Sequence, residues 1–322
     1  MKAIQITTVG GPEVLKLSDL ADPTPGTGEV LIRVHASGVN FIDVYYREGK
    51  YKSPLPFIPG AEGSGIVAGL GEGVTNFAIG DAVAWYGPLG SYTELAVVKA
   101  AIVIKIPQGV SLDTSAAMMM QGITAHYLSH STFELKAGHT ALVHAAAGGV
   151  GALLTQMASA IGARVIATVS TAEKAEVARA AGASEVILYT ESDFEAETKR
   201  LTGGKGVDVV YDGVGLTTFE QSLKCLRKRG LLALYGAASG PVPPFDLGRL
   251  SSLGSLFVTR PISLDYVQTR EELTGRTDDL FRWVLEGKLK VRIDRSYPLE
   301  QAAQAHSDLE GRGTIGKLLL TM

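Results

Sequence analysis

The sequence predicts an α/β protein: a doubly wound parallel sheet joined to a second, β-rich unit. Three observations carry this. Between residues 124 and 260, apolar runs of strand length alternate with helical stretches. A run of small residues, Ala145-Ala146-Ala147-Gly148-Gly149-Val150-Gly151, stands where one of those strands meets a helix. The first third alternates apolar and polar residues in short segments between closely spaced turn signals.

In chain order, the opening segment Lys2-Ala-Ile-Gln-Ile6 reads as a strand. Glu29-Val-Leu-Ile-Arg-Val-His-Ala36 alternates, with Val30, Ile32, Val34 and Ala36 on one face. Ile66-Val67, Asp81-Ala-Val-Ala-Trp85 and Glu94-Leu-Ala-Val-Val98 read as further strands. Turn signals recur at Gly10-Gly-Pro12, Pro23-Thr-Pro-Gly26 and Ile58-Pro-Gly60, so a small antiparallel barrel is expected. The βαβ rhythm follows, with strands expected at 141–144, 164–169, 185–188, 207–211, 231–235 and 256–258. Past residue 261, a helix around 278–285 and strands at 291–293 and 316–320 are too few for a third domain. The chain is therefore expected to return to its first unit. The boundaries become 1–123 with 261–322, and 124–260.

The strand Thr140-Ala-Leu-Val-His144, the small-residue turn and the following helix form an A-x-x-G-x-x-G pattern. The helix is read from Val150, Leu153, Leu154, Met157 and Ile161, spaced by three and four. Gly148 permits the tight turn, Gly149 lets backbone amides approach a pyrophosphate, and Gly151 lets helix and strand pack closely. An ordinary strand-to-helix loop has the same local look, so the next strand decides. An NAD site places Asp or Glu at that strand's end, to bind the ribose 2′-hydroxyl. Here the end reads Ser170-Thr-Ala-Glu-Lys174, a small hydroxyl with a cation four residues on. That suits a 2′-phosphate and favours NADP over NAD. Glu173 is the competing signal, inside the next helix by this count. Lys174 also reads as a solvated helix lysine.

Composition excludes several classes. The chain has 322 residues, 46% hydrophobic and 20% charged, with a net charge of −3, so no basic field points to nucleic acid. Apolar runs are short and interrupted, so no membrane helix is expected. The opening residues lack the basic and apolar regions of a signal peptide. One cysteine, Cys225, excludes an intrachain disulfide framework and fits a reducing cytoplasm. His126-Tyr-Leu-Ser-His130 has metal-ligand spacing on a helix, but no HExxH pattern surrounds it, and packing is the expected role.

The chain resembles the medium-chain dehydrogenase/reductase superfamily, and within it the zinc-free NADPH:quinone oxidoreductases, the zeta-crystallin-like group, with bacterial members most alike. The matching segments are Gly38-Val-Asn-Phe-Ile-Asp43, Pro59-Gly-Ala-Glu-Gly-Ser-Gly65, His144–Gly151, Val258-Thr-Arg-Pro261, Thr269-Arg-Glu-Glu-Leu273 and Leu309-Glu-Gly-Arg312. They span almost the whole chain. The resemblance implies a Rossmann sheet plus a GroES-like β-barrel catalytic domain. Zinc-dependent relatives carry Cys where this chain has Val39-Asn40 and Gly-His-Glu where it has Gly60-Ala61-Glu62. A catalytic zinc needs about three protein ligands, so no metal is expected and Glu62 is read as structural.

The resemblance further implies NADPH as cofactor and a small-molecule quinone as acceptor. The quinone would lie in an interdomain cleft and leave as hydroquinone or semiquinone. Asn40 and Tyr45 are the candidate catalytic residues; Asn offers donor and acceptor to a carboxamide or a quinone oxygen, and Tyr stacks or donates a proton. The alternative is that both merely hold the loop. Phe41, Ile42, Asp43 and Val44 would lie beside the cofactor, Asp43 anchoring the loop. Gly148, Gly149 and Val150 would hold the pyrophosphate. Ser170, Thr171, Lys174 and Tyr189 would hold the adenosine end. Gly213 and Val214, then Tyr235, Gly236, Ala237 and Ala238, then Phe257, Val258 and Thr259 end successive strands, and Tyr127 and Arg312 would touch the cofactor. Close relatives tend to carry Ser where this chain has Gly213 and Ala237. A homodimer by strand addition at the nucleotide-domain edge is expected. The alternatives are a zinc-free enoyl or enone reductase, distinguished by the space around Tyr45, Tyr51, Tyr86 and Leu264, and an NADPH-binding structural or RNA-binding protein.

Overall fold

A computed structural model describes residues 1–87 and 89–322. The chain divides into two units, residues 1–123 with 267–322, and residues 124–266.

In the second unit, the described residues form a six-stranded sheet with every neighbour parallel. Its strands are Thr140–His144, Arg164–Val169, Glu185–Leu188, Val207–Asp212, Leu226–Leu234 and Phe257–Thr259. Their order across the sheet is third, second, first, fourth, fifth, sixth, the doubly wound order. A parallel sheet needs continuous apolar strands because both faces are covered. Leu142, Ile166, Val210 and Leu232 are fully buried accordingly. The fifth strand begins at Leu226, earlier than expected; Arg227, Lys228 and Arg229 interrupt the apolar pattern, and the pairing with the fourth strand passes from Leu226 to Leu231 across them. The helix Gly149–Ile161 turns Leu153, Leu154 and Met157 inward and ends at Gly162 in the left-handed region (φ 90°).

In the first unit, Glu29–Val39 is the central strand. Along one edge it pairs antiparallel with Glu62–Leu70. On the other edge its first half pairs with Leu95–Lys99 and its second half with Lys317–Thr321. Two bulges in the pairing with 62–70 bend the sheet. Leu318 lies opposite Val39 and Leu320 opposite Ser37, so the last strand is built into the sheet centred on residues 29–39. Val30, Ile32, Val67, Val83 and Trp85 pack one core, and Ile4, Ile6, Val39, Leu318 and Leu320 another.

Three boundaries differ from expectation. The helix expected near 278 spans Arg270–Leu285; Thr269 accepts the Glu272 N–H while the Glu272 carboxylate accepts the Thr269 N–H, a capping box. The strand expected at 291–293 runs instead over Ile293–Pro298, paired with 317–321. The units part at 266/267 and not at 260/261. The short turn Ser263–Tyr266 stays with the sheet unit because Tyr266 stacks on Tyr127 (centroids 4.2 Å, planes 10° apart) and accepts the Thr132 hydroxyl.

Candidate active site

In the second unit, the small-residue turn is shaped by contact. Gly148 caps the helix, and its N–H donates to the Ala145 carbonyl at 2.8 Å. A Cβ on Gly151 would lie 2.3 Å from that same carbonyl oxygen and 2.8 Å from the Ala146 Cα. Only glycine lets the helix start this close to the strand end. The first N–H groups of a helix have no partner inside it, and here they open onto the turn. Ala145 has φ 50°, a left-handed conformation that an L side chain resists. Ala145→Gly is therefore expected to raise stability by about 1 kcal/mol, measured as a higher urea midpoint with an unchanged slope.

A buried hydrogen-bonded web underlies the ends of three strands. Asp212 accepts the N–H groups of Val214 and Gly215, the Thr218 hydroxyl and the Ser222 hydroxyl. His144 joins Ser222 through Nε2 (3.0 Å) and Thr168 through Nδ1 (2.8 Å). Burial lowers the His144 pKa, against the opposing charge of Asp212. The web holds the 212–215 turn in one shape. A Cβ on Gly213 would meet the far end of the Tyr235 ring at 2.8 Å, so a side chain there requires that ring to shift. Gly236 likewise lies against Gly213, where a Cβ would stand 2.4 Å from the Gly213 oxygen.

The remaining residues of this unit sort as follows. Ser170 and Thr171 follow the second strand; Thr171 caps the helix Ala172–Ala180 by accepting the Lys174 N–H at 3.3 Å. Glu173 lies in that helix's first turn, as does Lys174. Tyr189 is half-exposed at the end of the third strand. Tyr127 is buried against Tyr266. Phe257 and Val258 are exposed on the edge strand. His126 and His130 stack on each other (4.4 Å, 16°), and Ser129 and the His126 carbonyl occupy His130 Nδ1. Among the described residues, no group of three His, Cys, Asp or Glu side chains converges on one point.

In the first unit, the helix Phe41–Arg47 carries Asp43, Tyr45, Tyr46 and Arg47, with Asn40 at its N-cap. Asn40 is buried, and both ends of its carboxamide are engaged. Its Nδ2 donates to Glu62 Oε1 (2.7 Å) and to the Gly38 carbonyl (3.3 Å). Its Oδ1 accepts from Lys317 Nζ at 2.7 Å. Lys317 also donates to Glu62 Oε1 (2.5 Å), and the Met120 N–H donates to Glu62 Oε2 (2.7 Å). Glu62 and Lys317 are 0% and 1% exposed, so this is a fully buried ion pair. Gly38 makes room: a Cβ would lie 2.3 Å from Glu62 Oε1. A carboxylate already paired to an ammonium is a poor zinc ligand, and Val39 and Ala61 beside it offer no donor side chain, so these residues do not fit a catalytic metal.

Asp43 begins a second chain. Its Oδ2 accepts the Asn40 N–H (2.9 Å) and the Tyr92 hydroxyl (3.2 Å). Tyr92 in turn meets His306 Nε2 at 3.0 Å, and Arg47 donates to His306 Nδ1 at 3.2 Å. A guanidinium only donates, so Nδ1 is the acceptor and the Nε2–H tautomer donates to Tyr92. Arg47 also forms a two-pronged bond to Glu310 (2.8 and 3.0 Å), tying this helix to Ala302–Glu310. Burial pushes the Asp43 carboxyl up to about 7, opposed by the Asn40 N–H and Lys317. Burial, then Arg47, pushes His306 down to about 3. Tyr45, Tyr46 and Tyr51 form an aromatic cluster with edge-on contacts of 5.5 and 5.6 Å, and Tyr51 is exposed.

Sequence reading missed Arg47, Tyr92, His306, Glu310 and Lys317. Lys317 did carry a signal: a lone cation in the apolar run Gly316-Lys-Leu-Leu-Leu320. Such a charge is buried only when paired.

Two family models match the chain: the alcohol dehydrogenase GroES-like domain over residues 26–108, and zinc-binding dehydrogenase over residues 149–273. A quinone oxidoreductase of Pseudomonas aeruginosa is 46% identical over 321 residues, covering 99% of each chain. A 2-haloacrylate reductase of a Burkholderia species is 42% identical, covering 97% of this chain and 96% of its own. The crystal structure of an Escherichia coli quinone oxidoreductase complexed with NADPH superposes with a TM-score of 0.98 at 42% identity, covering 100% of both chains.

Proposed function

The chain belongs to the quinone oxidoreductases of the medium-chain dehydrogenase/reductase superfamily, and on that premise we propose that it reduces a quinone with NADPH. The glycine turn carries the reading: Gly151, with no room for a Cβ, brings a helix N-terminus to the strand end as a pyrophosphate requires. NADPH supplies a hydride. Gly148, Gly149 and Val150 cradle the pyrophosphate through their backbone. The Asp212 web holds Gly213 and Val214 in place, and Tyr235 to Ala238 and Phe257 to Thr259 follow at the ends of the next strands. Ser170 and Lys174 receive the 2′-phosphate. Thr171 caps the helix that carries Lys174.

In the first unit, Asn40 and Tyr45 serve the nicotinamide and the acceptor. A quinone is already electrophilic, so positioning suffices and no Lewis acid is required. The aromatic cluster of Tyr45, Tyr46 and Tyr51 offers flat faces for a planar acceptor. The exposed edge strand Phe257–Thr259 supports a homodimer by strand addition. No helix among the described residues is long and apolar enough to cross a membrane. The one thiol, Cys225, is buried, which suits a reducing cytoplasm.

The test is NADPH oxidation with p-benzoquinone beside an α,β-unsaturated ketone and 2-haloacrylate. Faster turnover of the quinone supports the reading. Preference for a carbon–carbon double bond moves the chain to enone reduction, and no turnover with any acceptor removes it from reductases. In the same assay, Lys174→Ala is expected to raise KM for NADPH about tenfold and leave KM for NADH unchanged.

A further inference from the structure

Tyr235 follows the fifth strand of the parallel sheet, and Gly213 follows the fourth. Backbone bonds knit the two turns together: the Tyr235 N–H donates to the Asp212 carbonyl (2.9 Å) and the Ala238 N–H to the Gly213 carbonyl (3.2 Å). The far end of the Tyr235 ring, and not its root, lies over Gly213. A Cβ there would stand 2.8 Å from Cζ and 2.9 Å from the hydroxyl oxygen. The ring therefore reaches across from the end of the fifth strand to the end of the fourth. The fourth strand pairs with the first, which leads into the glycine turn.

A tyrosine hydroxyl withdrawn from water ordinarily finds a hydrogen-bond partner. Tyr211, in the fourth strand, donates to the Leu128 carbonyl at 3.2 Å. Among the described residues, Tyr235 makes no such side-chain bond. Burial, and then the Asp212 carboxylate, raise its pKa, so the phenol keeps its proton and can donate it. Strand order locates what it can donate to. Across the sheet the strands run third, second, first, fourth. Ser170 and Lys174 come after the second strand, and the glycine turn after the first. A dinucleotide with its 2′-phosphate at the second strand and its pyrophosphate at the first lays its remaining half toward the fourth.

We propose that Tyr235 is a binding residue whose hydroxyl donates a hydrogen bond to an oxygen of the nicotinamide-nucleotide half of NADPH. Tyr235, Gly213, the glycine turn and Ser170 all belong to the one unit of residues 124–266. The assignment rests on the reading of the glycine turn as an NADPH site.

Tyr235→Phe tests it, because it removes the hydroxyl and keeps the ring. NADPH and adenosine 2′,5′-bisphosphate, which lacks the nicotinamide half, are titrated calorimetrically against the full chain. The variant should bind NADPH about tenfold more weakly, one ordinary hydrogen bond, and bind the bisphosphate as the wild type does. Its melting temperature without ligand should equal that of the wild type, since no bond inside the protein is lost. Unchanged NADPH binding overturns the proposal. So does equal weakening of both ligands, or a lower melting temperature without ligand, which would give the hydroxyl a partner within the protein. If the wild type binds neither ligand, the NADPH reading itself falls.

Discussion

Gly151→Val is expected to lower kcat/KM for NADPH roughly 100-fold and to destabilise the chain by about 3 kcal/mol. The cause is steric. A Cβ at this position lies 2.3 Å from the Ala145 oxygen and 2.8 Å from the Ala146 Cα, both backbone atoms that cannot rotate away. The helix 149–161 must move off the strand 140–144, and its open N–H groups move with it. A neighbouring glycine provides the control. A Cβ on Gly148 meets only the Ala145 oxygen, at 3.2 Å, and a few tenths of an ångström of relaxation accommodates it. Gly148→Ala should therefore keep most of the wild-type melting temperature. Equal losses from the two variants would show that close approach at Gly151 is not what builds the turn.

The contrast between these glycines shows how far sequence reading reaches. Thr140–His144, Arg164–Val169 and Val207–Asp212 were legible because a parallel strand buried on both faces is one apolar run. The A-x-x-G-x-x-G turn was legible because its roles are local: each glycine answers to atoms within a few residues. The strand Leu226–Leu234 was half legible, since Arg227, Lys228 and Arg229 hide its first part. The buried polar groups of the first unit were least legible. Asn40 and Lys317 stand 277 positions apart, and Arg47 and His306 stand 259 apart. No periodicity links such positions; only the pairing of the last strand with the 29–39 strand brings Lys317 to Asn40. Asp43 was read as the anchor of its loop, and its carboxylate does hold the Asn40 N–H. Asn40 was read as offering both donor and acceptor, whereas Glu62 and Gly38 take up its donors.

The Asp43–Tyr92–His306 chain leads to the second large expectation, an opposed pair of pH responses. Stability changes with pH in proportion to the protons bound by the unfolded state minus those bound by the folded state. Asp43 titrates near 3.8 unfolded and about 7 folded. Between those values only the folded state holds its proton, so this group makes stability fall as pH rises. His306 titrates near 6.5 unfolded and about 3 folded. Between those values only the unfolded state is protonated, so this group makes stability rise with pH. Over most of the shared window the two slopes, each up to about 1.4 kcal/mol per pH unit, cancel. Removing either group exposes the other. Relative to wild type, Asp43→Asn should gain stability as pH rises from 4 towards 7, and His306→Gln should lose it as pH rises from 3 towards 6.5. Urea unfolding across that range measures both differences. The groups that face this pair, Lys317, Glu62, Arg47 and Tyr92, remain in each variant, so their contributions largely subtract. Tyr92 bonds both partners and its hydroxyl holds the Asp43 carboxyl down, so Tyr92→Phe should lower stability and carry the Asp43-linked fall to higher pH. Two variants whose differences from wild type stay flat with pH would mean that Asp43 and His306 keep the same protons folded and unfolded, and that their burial is offset by the hydrogen bonds alone.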